Sequence, residues 1–172
     1  IMANIPANSS KDDVRKSEIF IMKSAEDFVL YTRPELMNIS CDFIYNWDEK
    51  RLFELADFTD KVVIDVGSGS GRLAFAAAKK AKHVYASEPV DTLREYLRDK
   101  IKCEKIKNMT VVDGMADSIP YPNGTFDIVM SGHVVGDDFD AEIAELTRIT
   151  KDGGWILECP GDEAVSKESV SE

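Results

Sequence analysis

One stretch limits this chain more than any other: Val62-Val63-Ile64-Asp65-Val66-Gly67-Ser68-Gly69-Ser70-Gly71. Four branched apolar residues enclosing one acid have lost the alternation of a half-solvated strand, so the run predicts the interior of a parallel sheet covered on both faces. Gly67, Gly69 and Gly71 follow at once, supplying positive φ and letting the backbone approach a ligand without a Cβ between them. Arg72 to Lys82 then reads as a helix. Strand, glycine turn and helix in that order predict a nucleotide-type pocket.

The spacing narrows the nucleotide. A dinucleotide fingerprint places its third glycine three positions after the second, where helix and strand must pack closely. Here that position is Arg72, which argues against NAD. The pattern is instead Asp-x-Gly-x-Gly-x-Gly, with an acid in the strand next to the turn. Asp65 would repel a pyrophosphate but suits a ligand carrying an ammonium and a sulfonium. At these residues the chain resembles the class I S-adenosylmethionine-dependent methyltransferases. The resemblance implies that Asp65, Gly67, Ser68, Gly69 and Gly71 hold the methionine part of S-adenosyl-L-methionine.

A second acid strengthens this reading. His83 to Ser87 predicts a short strand ending at Glu88 and Pro89, and Glu88 lies 21 residues past Gly67. An acid at that distance, at the tip of the second strand, is placed to accept both hydroxyls of an adenosine ribose. A third strand over Met109 to Asp113 leads into Gly114-Met115-Ala116-Asp117-Ser118-Ile119-Pro120 and on to Asp127. This segment resembles the family's Gly-Asp-Ala-Glu-x-Leu-Pro-Phe-Pro-Asp-x-x-Phe-Asp. Met115 stands where the family's adenine-binding acid is usual; it would pack on the adenine face, with hydrogen bonds from Ala116 or Asp117. Asp113 and Asp117 both stay open as partners of the adenine amine. Phe126 to Ser131 predicts the fourth strand, with Ser131 and then His133 at its carboxyl end. Thr147 to Leu157 resembles the family's Leu-x-Arg-x-Leu-Lys-Pro-Gly-Gly-x-Leu, with Asp152 in place of proline, and Trp155 to Cys159 predicts the fifth strand.

The expected architecture is therefore a Rossmann-like α/β domain, a doubly wound parallel sheet in order 3-2-1-4-5. The family's strands 6 and 7 have no counterpart in Gly161 to Glu172, so a truncated or partly ordered piece is expected ahead of a minimal variant. Residues 1–46 read as an N-terminal arm and helical cap, loose to about residue 16. Phe20, Phe28, Tyr31, Phe43 and Tyr45 are candidates to roof the acceptor pocket. Residues 47–172 read as the cofactor-binding domain. A net charge of −11 leaves no field to attract a phosphate backbone, so no nucleic-acid partner is expected. The densest basic runs, Lys79 to Lys82 and Lys100 to Lys107, read as solvated helix ends. Cys41, Cys103 and Cys159 show no metal or disulfide spacing, and no apolar run approaches the roughly 18 residues of a membrane span. A soluble cytoplasmic protein with no membrane partner is expected.

Methyl transfer from a sulfonium is an in-line displacement that expels a neutral thioether, so positioning does most of the work and a base is optional. His133, just past the fourth strand, is the candidate base. Asp137, Asp138 and Asp140 read as helix caps, and no metal is expected. The leading function is methylation of a small molecule, with an NAD-linked oxidoreductase or a non-catalytic cofactor-binding module as rivals. The acceptor and the oligomeric state are left open.

Overall fold

A computed structural model describes residues 10–41, 44 and 47–159. The first element, α1 (Lys11–Thr32), corrects the expected loose arm over residues 10–16. Ser10 and Asp13 form a reciprocal capping box: the Ser10 hydroxyl accepts from the Asp13 amide at 3.1 Å, and the Asp13 carboxylate accepts from the Ser10 amide at 3.3 Å. That Ser-x-x-acid signal outweighs the polarity of the run, because a solvated helix needs caps more than burial. Helix α2 (Pro34–Ser40) follows, with Pro34 in its first turn, where a missing N–H costs nothing. The expected roof residues Phe43 and Tyr45, and the side chains of Phe28 and Tyr31, lie outside what is described, while Phe20 is 62% exposed on α1 and lines no part of the cavity beside the glycine turn. Helix α3 (Lys50–Leu55) carries Leu52 into the core, and Trp47 packs on the same cluster.

The sheet contains β1 (Val62–Val66), β2 (His83–Ser87), β3 (Met109–Val112), β4 (Phe126–Ser131) and β5 (Thr150–Glu158). All pairings are parallel, in the order β3-β2-β1-β4-β5. Between them run α4 (Arg72–Ala77), α5 (Asp91–Glu104) and α6 (Phe139–Ile149). Neighbouring residues of β1 split between the two faces. Val63 joins Leu73, Ala77, Val84 and Leu97 under α4 and α5, while Ile64 and Val66 join Phe126, Val129, Leu146 and Ile149 under α6. Both faces are covered, which is why the run showed no alternation.

Two boundaries depart from the sequence reading. Helix α4 stops at Ala77 rather than Lys82, because the Asn108 side chain donates to the carbonyls of Ala78 and Ala81 at 2.8 and 2.9 Å and satisfies them outside a helix. Strand β5 begins five residues early, with an irregularity opposite Phe126 and Ile128. Gly153 there has φ +74°, and a Cβ on Gly154 would lie 2.9 Å from the carbonyl oxygens of Asp127 and Lys151. The Lys151 ammonium meets the Asp127 carboxylate at 2.8 Å, and Asp127 also accepts from the Val62 amide at 2.8 Å, tying three strands together. Among the described residues, no helix is long and apolar enough to cross a membrane.

The register positions the site. Val66 stands level with Ser87 and Ser131, Ser87 with Val112, and Ser131 with Glu158. All five strands therefore end on one line, and the loops that follow rise from a common edge, where open α/β sheets hold their ligands.

Candidate functional site

The glycine turn is held by its own backbone. Gly67, Gly69 and Gly71 have φ of +66°, +55° and +91°. The Ser68 amide donates to the Ser87 carbonyl at 2.9 Å, and its hydroxyl donates to the Asp65 carbonyl at 2.8 Å. The space a side chain would take is filled by the chain itself at two of the three glycines. A Cβ on Gly67 would lie 2.3 Å from Val134 Cγ2, and one on Gly71 would lie 2.4 Å from Phe75. These two glycines serve conformation and packing. At Gly69 the nearest neighbour is the Met37 sulfur, at 3.4 Å.

Glu88 reaches this turn directly. One carboxylate oxygen accepts from the Gly69 amide at 2.8 Å and the other from the Val90 amide at 2.9 Å. The residue is 4% exposed. Burial pushes its carboxyl above the usual range, against the two amides and the nearby Arg94 guanidinium, which pull it back. Arg94 also donates to the Glu88 and Pro89 carbonyls and meets Asp113 at 3.1 Å, holding that acid outside the site.

Asp65 plays a different part from the one expected of a ligand-facing acid. It is 2% exposed, and its carboxylate accepts from the Ala74 amide in the first turn of α4 at 3.0 Å. Desolvation pushes its carboxyl up to about 7, with the Arg72 guanidinium the strongest opposing influence. Its place in the site is largely as the floor of the turn.

These elements enclose a cavity of about 360 Å³. It brings together Asp65, Gly67, Ser68, Gly69, Glu88, Pro89, Met115, Ala116, Asp117 and His133. Two anticipated residues are not among its walls. Gly71 faces Phe75 and Leu97, and Ser131 is 1% exposed with its hydroxyl donating to the Glu158 carboxylate. Of the two candidate adenine partners, Asp117 borders the cavity and Asp113 does not. His133 is exposed on the rim, in a left-handed conformation at φ +61°.

Several wall residues escaped the sequence reading. Glu142 is 5% exposed and accepts from the Gly136 amide at 2.7 Å, fixing the loop that carries His133. Its spacing to Leu146 and Ile149 puts it on the apolar stripe of α6, and an acid in that stripe was a readable signal. Arg72 donates to the Cys159 carbonyl at 2.6 Å and stacks 5.1 Å from the Trp47 ring centroid, joining the turn to the end of β5. Met37 comes from a distant helix, and nothing local marked it. Asp138, read from the sequence as a cap, does cap α6, accepting from the Ala141 amide at 3.4 Å, and it lines the cavity as well. No group of acids, histidines and cysteines among the described residues could hold a metal.

Comparison with known proteins adds the following. A family model described as a methyltransferase domain matches residues 64–157. An uncharacterised methyltransferase of Schizosaccharomyces pombe is 35% identical over 108 residues, 57% of this chain and 38% of that protein. Demethylmenaquinone methyltransferase of Lactococcus lactis is 25% identical over 116 residues, 64% of this chain and 46% of that one. The chain thus spans less than half the length of these curated relatives. The crystal structure of an S-adenosylmethionine-dependent methyltransferase from Aquifex aeolicus superposes with a TM-score of 0.60 at 22% identity, covering 69% of this chain and 68% of that one.

Proposed function

This chain belongs to the methyltransferase domain family, class I, whose cofactor is S-adenosylmethionine, and from that premise we propose that it methylates a small molecule at the rim of the 360 Å³ cavity. The observation that carries the reading is the buried Glu88 carboxylate, held against the Gly69 amide in the cavity that also contains Asp117.

The residues fit the cofactor chemically. Each Glu88 oxygen has taken one amide hydrogen and keeps a lone pair, so the pair can accept two vicinal hydroxyls. Asp117 and Met115 border the end of the cavity suited to an adenine, one as hydrogen-bond acceptor and the other as a polarizable surface. The cofactor supplies an electrophilic methyl on a sulfonium with a neutral leaving group. What remains for the protein is orientation, exclusion of water and, where the acceptor requires it, removal of a proton. Proximity of this kind is worth roughly 7 to 11 kcal/mol.

His133 stands on the rim where an acceptor would enter, and its ring takes the proton of the attacking group. Asp117, Asp137, Asp138 and Glu142 line the same cavity. That charge favours neutral or cationic acceptors and disfavours a phosphate backbone. A small acceptor also agrees with the name of the Lactococcus relative.

Calorimetric titration with S-adenosylhomocysteine and with NADH tests the cofactor assignment, and binding of NADH alone overturns it. Transfer of a labelled methyl group to a panel of amine, thiol, hydroxyl and carboxylate compounds tests activity. Binding without transfer to any member would favour a non-catalytic module.

A further inference from the structure

The first of the two basic runs that read as separate solvated helix ends reaches the second in space through Lys79. A groove of about 680 Å³ on the α4 and α5 side of the sheet is lined by Lys79, Lys100, Lys105 and Lys107, with Trp47 and Phe75 as aromatic walls. Two glutamates also line it, and one of them, Glu49, is taken up by Lys79 at 2.5 Å. Among the described residues, no ion pair neutralises Lys100, Lys105 or Lys107. The groove floor is built rather than incidental. Asn108 fastens the end of α4 through two carbonyls, which fixes the separation of the two runs, and Lys100 lies 4.1 Å over the Phe75 ring.

A second observation comes from the glycine turn. Ser70 is 3% exposed, and its hydroxyl is buried with no hydrogen-bond partner among the described residues. It lies in the wall that this groove shares with the cofactor cavity. A buried hydroxyl left unsatisfied is a standing cost that an acceptor-rich ligand removes.

On a chain of net charge −11, three ammonium groups outside any ion pair among the described residues outnumber the one remaining carboxylate of this aromatic-walled groove, Glu104, and call for a compact anion. We propose that this groove is a second ligand site, separate from the cofactor cavity, for a small phosphate-bearing molecule of about mononucleotide size. A phosphomonoester carries nearly two negative charges and three acceptor oxygens, which lysine ammonium groups match as point charges. An extended polyanion would have to cross the acidic surface beyond the groove, so the size of the ligand is limited by the protein's own field.

The test uses the full chain and calorimetric titration with adenosine 5′-monophosphate, ribose 5-phosphate, inorganic phosphate and adenosine, with and without saturating S-adenosylhomocysteine. The phosphorylated probes are expected to bind in both conditions, and adenosine to show no binding in the presence of S-adenosylhomocysteine. Lys100→Gln combined with Lys107→Gln should weaken the phosphorylated probes by at least about tenfold and leave S-adenosylhomocysteine affinity within about twofold. Lys105 is spared in that variant because its backbone is left-handed, at φ +56°. Absence of phosphate-dependent binding, competition by S-adenosylhomocysteine, or unchanged affinity in a folded double variant each overturns the proposal. Tighter binding of single-stranded RNA than of any small probe overturns it in favour of a nucleic-acid surface. None of these outcomes bears on the cofactor assignment, which is read from the S-adenosylhomocysteine titration alone.

Discussion

Replacing Gly67 by alanine separates two costs that the glycine turn avoids. The first is conformational. Gly67 has φ +66°, and an L-residue held in the left-handed region costs about 1 to 2 kcal/mol. The second is steric. The new methyl would lie 2.3 Å from Val134 Cγ2 and 3.1 Å from Cγ1, so Val134 and its loop must move, and overpacking of this kind costs about 1 to 3 kcal/mol. Gly67→Ala should therefore destabilise the protein by about 2 to 5 kcal/mol in all. In a Val134→Ala background both γ-carbons are gone and the nearest atom becomes the residue 134 Cβ, at 3.3 Å. Only the conformational cost should remain there, about 1 to 2 kcal/mol. The four proteins form a double-mutant cycle, read by urea unfolding monitored through circular dichroism, with a coupling energy of about 1 to 3 kcal/mol. Equal costs of Gly67→Ala in both backgrounds would show that Val134 does not fill this space. A Gly67→Ala variant as stable as the parent would show that the turn does not need positive φ at all.

The raised carboxyl of Asp65 has a definite sign in stability. Its pKa is about 7 in the folded chain against 3.8 for the ordinary group, so between those values the folded state keeps a proton that the unfolded state has lost. Stability from this group is greatest below about pH 4 and falls as pH rises to 7, by at most about 4 kcal/mol for a shift of roughly three units. Asp65→Asn should remove that slope, gaining on the parent between pH 5 and pH 8 in urea unfolding; parallel curves would contradict the burial argument. Glu88→Gln should weaken S-adenosylhomocysteine by about 1 to 3 kcal/mol, roughly 5- to 150-fold, in calorimetry, and unchanged affinity would remove Glu88 from the ribose site. His133→Asn keeps a residue that tolerates the left-handed backbone, so the loop should survive. Turnover should fall by roughly 10²- to 10⁴-fold, whereas unchanged turnover would make His133 a rim residue only.

The part of the site that lay within one local motif was readable. The β1 run, the glycine turn and Glu88 depend on short-range rules for φ, strand burial and the length of one βα unit, so their joint presence in one cavity could be anticipated. The Ser10 capping box was equally local, and its polarity concealed it. Arg148 and Asp127 were recognised as pattern residues without their reason. Arg148 donates to the Ile119 and Tyr121 carbonyls at 3.0 and 2.8 Å, holding the Met115 to Asp127 segment against α6.

The sequence alone determined the strands of the sheet, the position of the ligand edge and ten of the residues that line the cavity, because each follows from a pattern of neighbours along the chain, and the strand order followed from the family resemblance. Only tertiary structure decided which groups face that edge. It set Asp65 on the α4 amide, closed Gly67 with Val134 and Gly71 with Phe75, turned Ser131 toward Glu158, and chose Asp117 over Asp113 by engaging the latter with Arg94. It also brought Lys79 into one groove with Lys100, Lys105 and Lys107, more than twenty residues further along the chain. Those outcomes depend on contacts between residues far apart in the chain, and local periodicity carries no information about which distant side chain will occupy a given space.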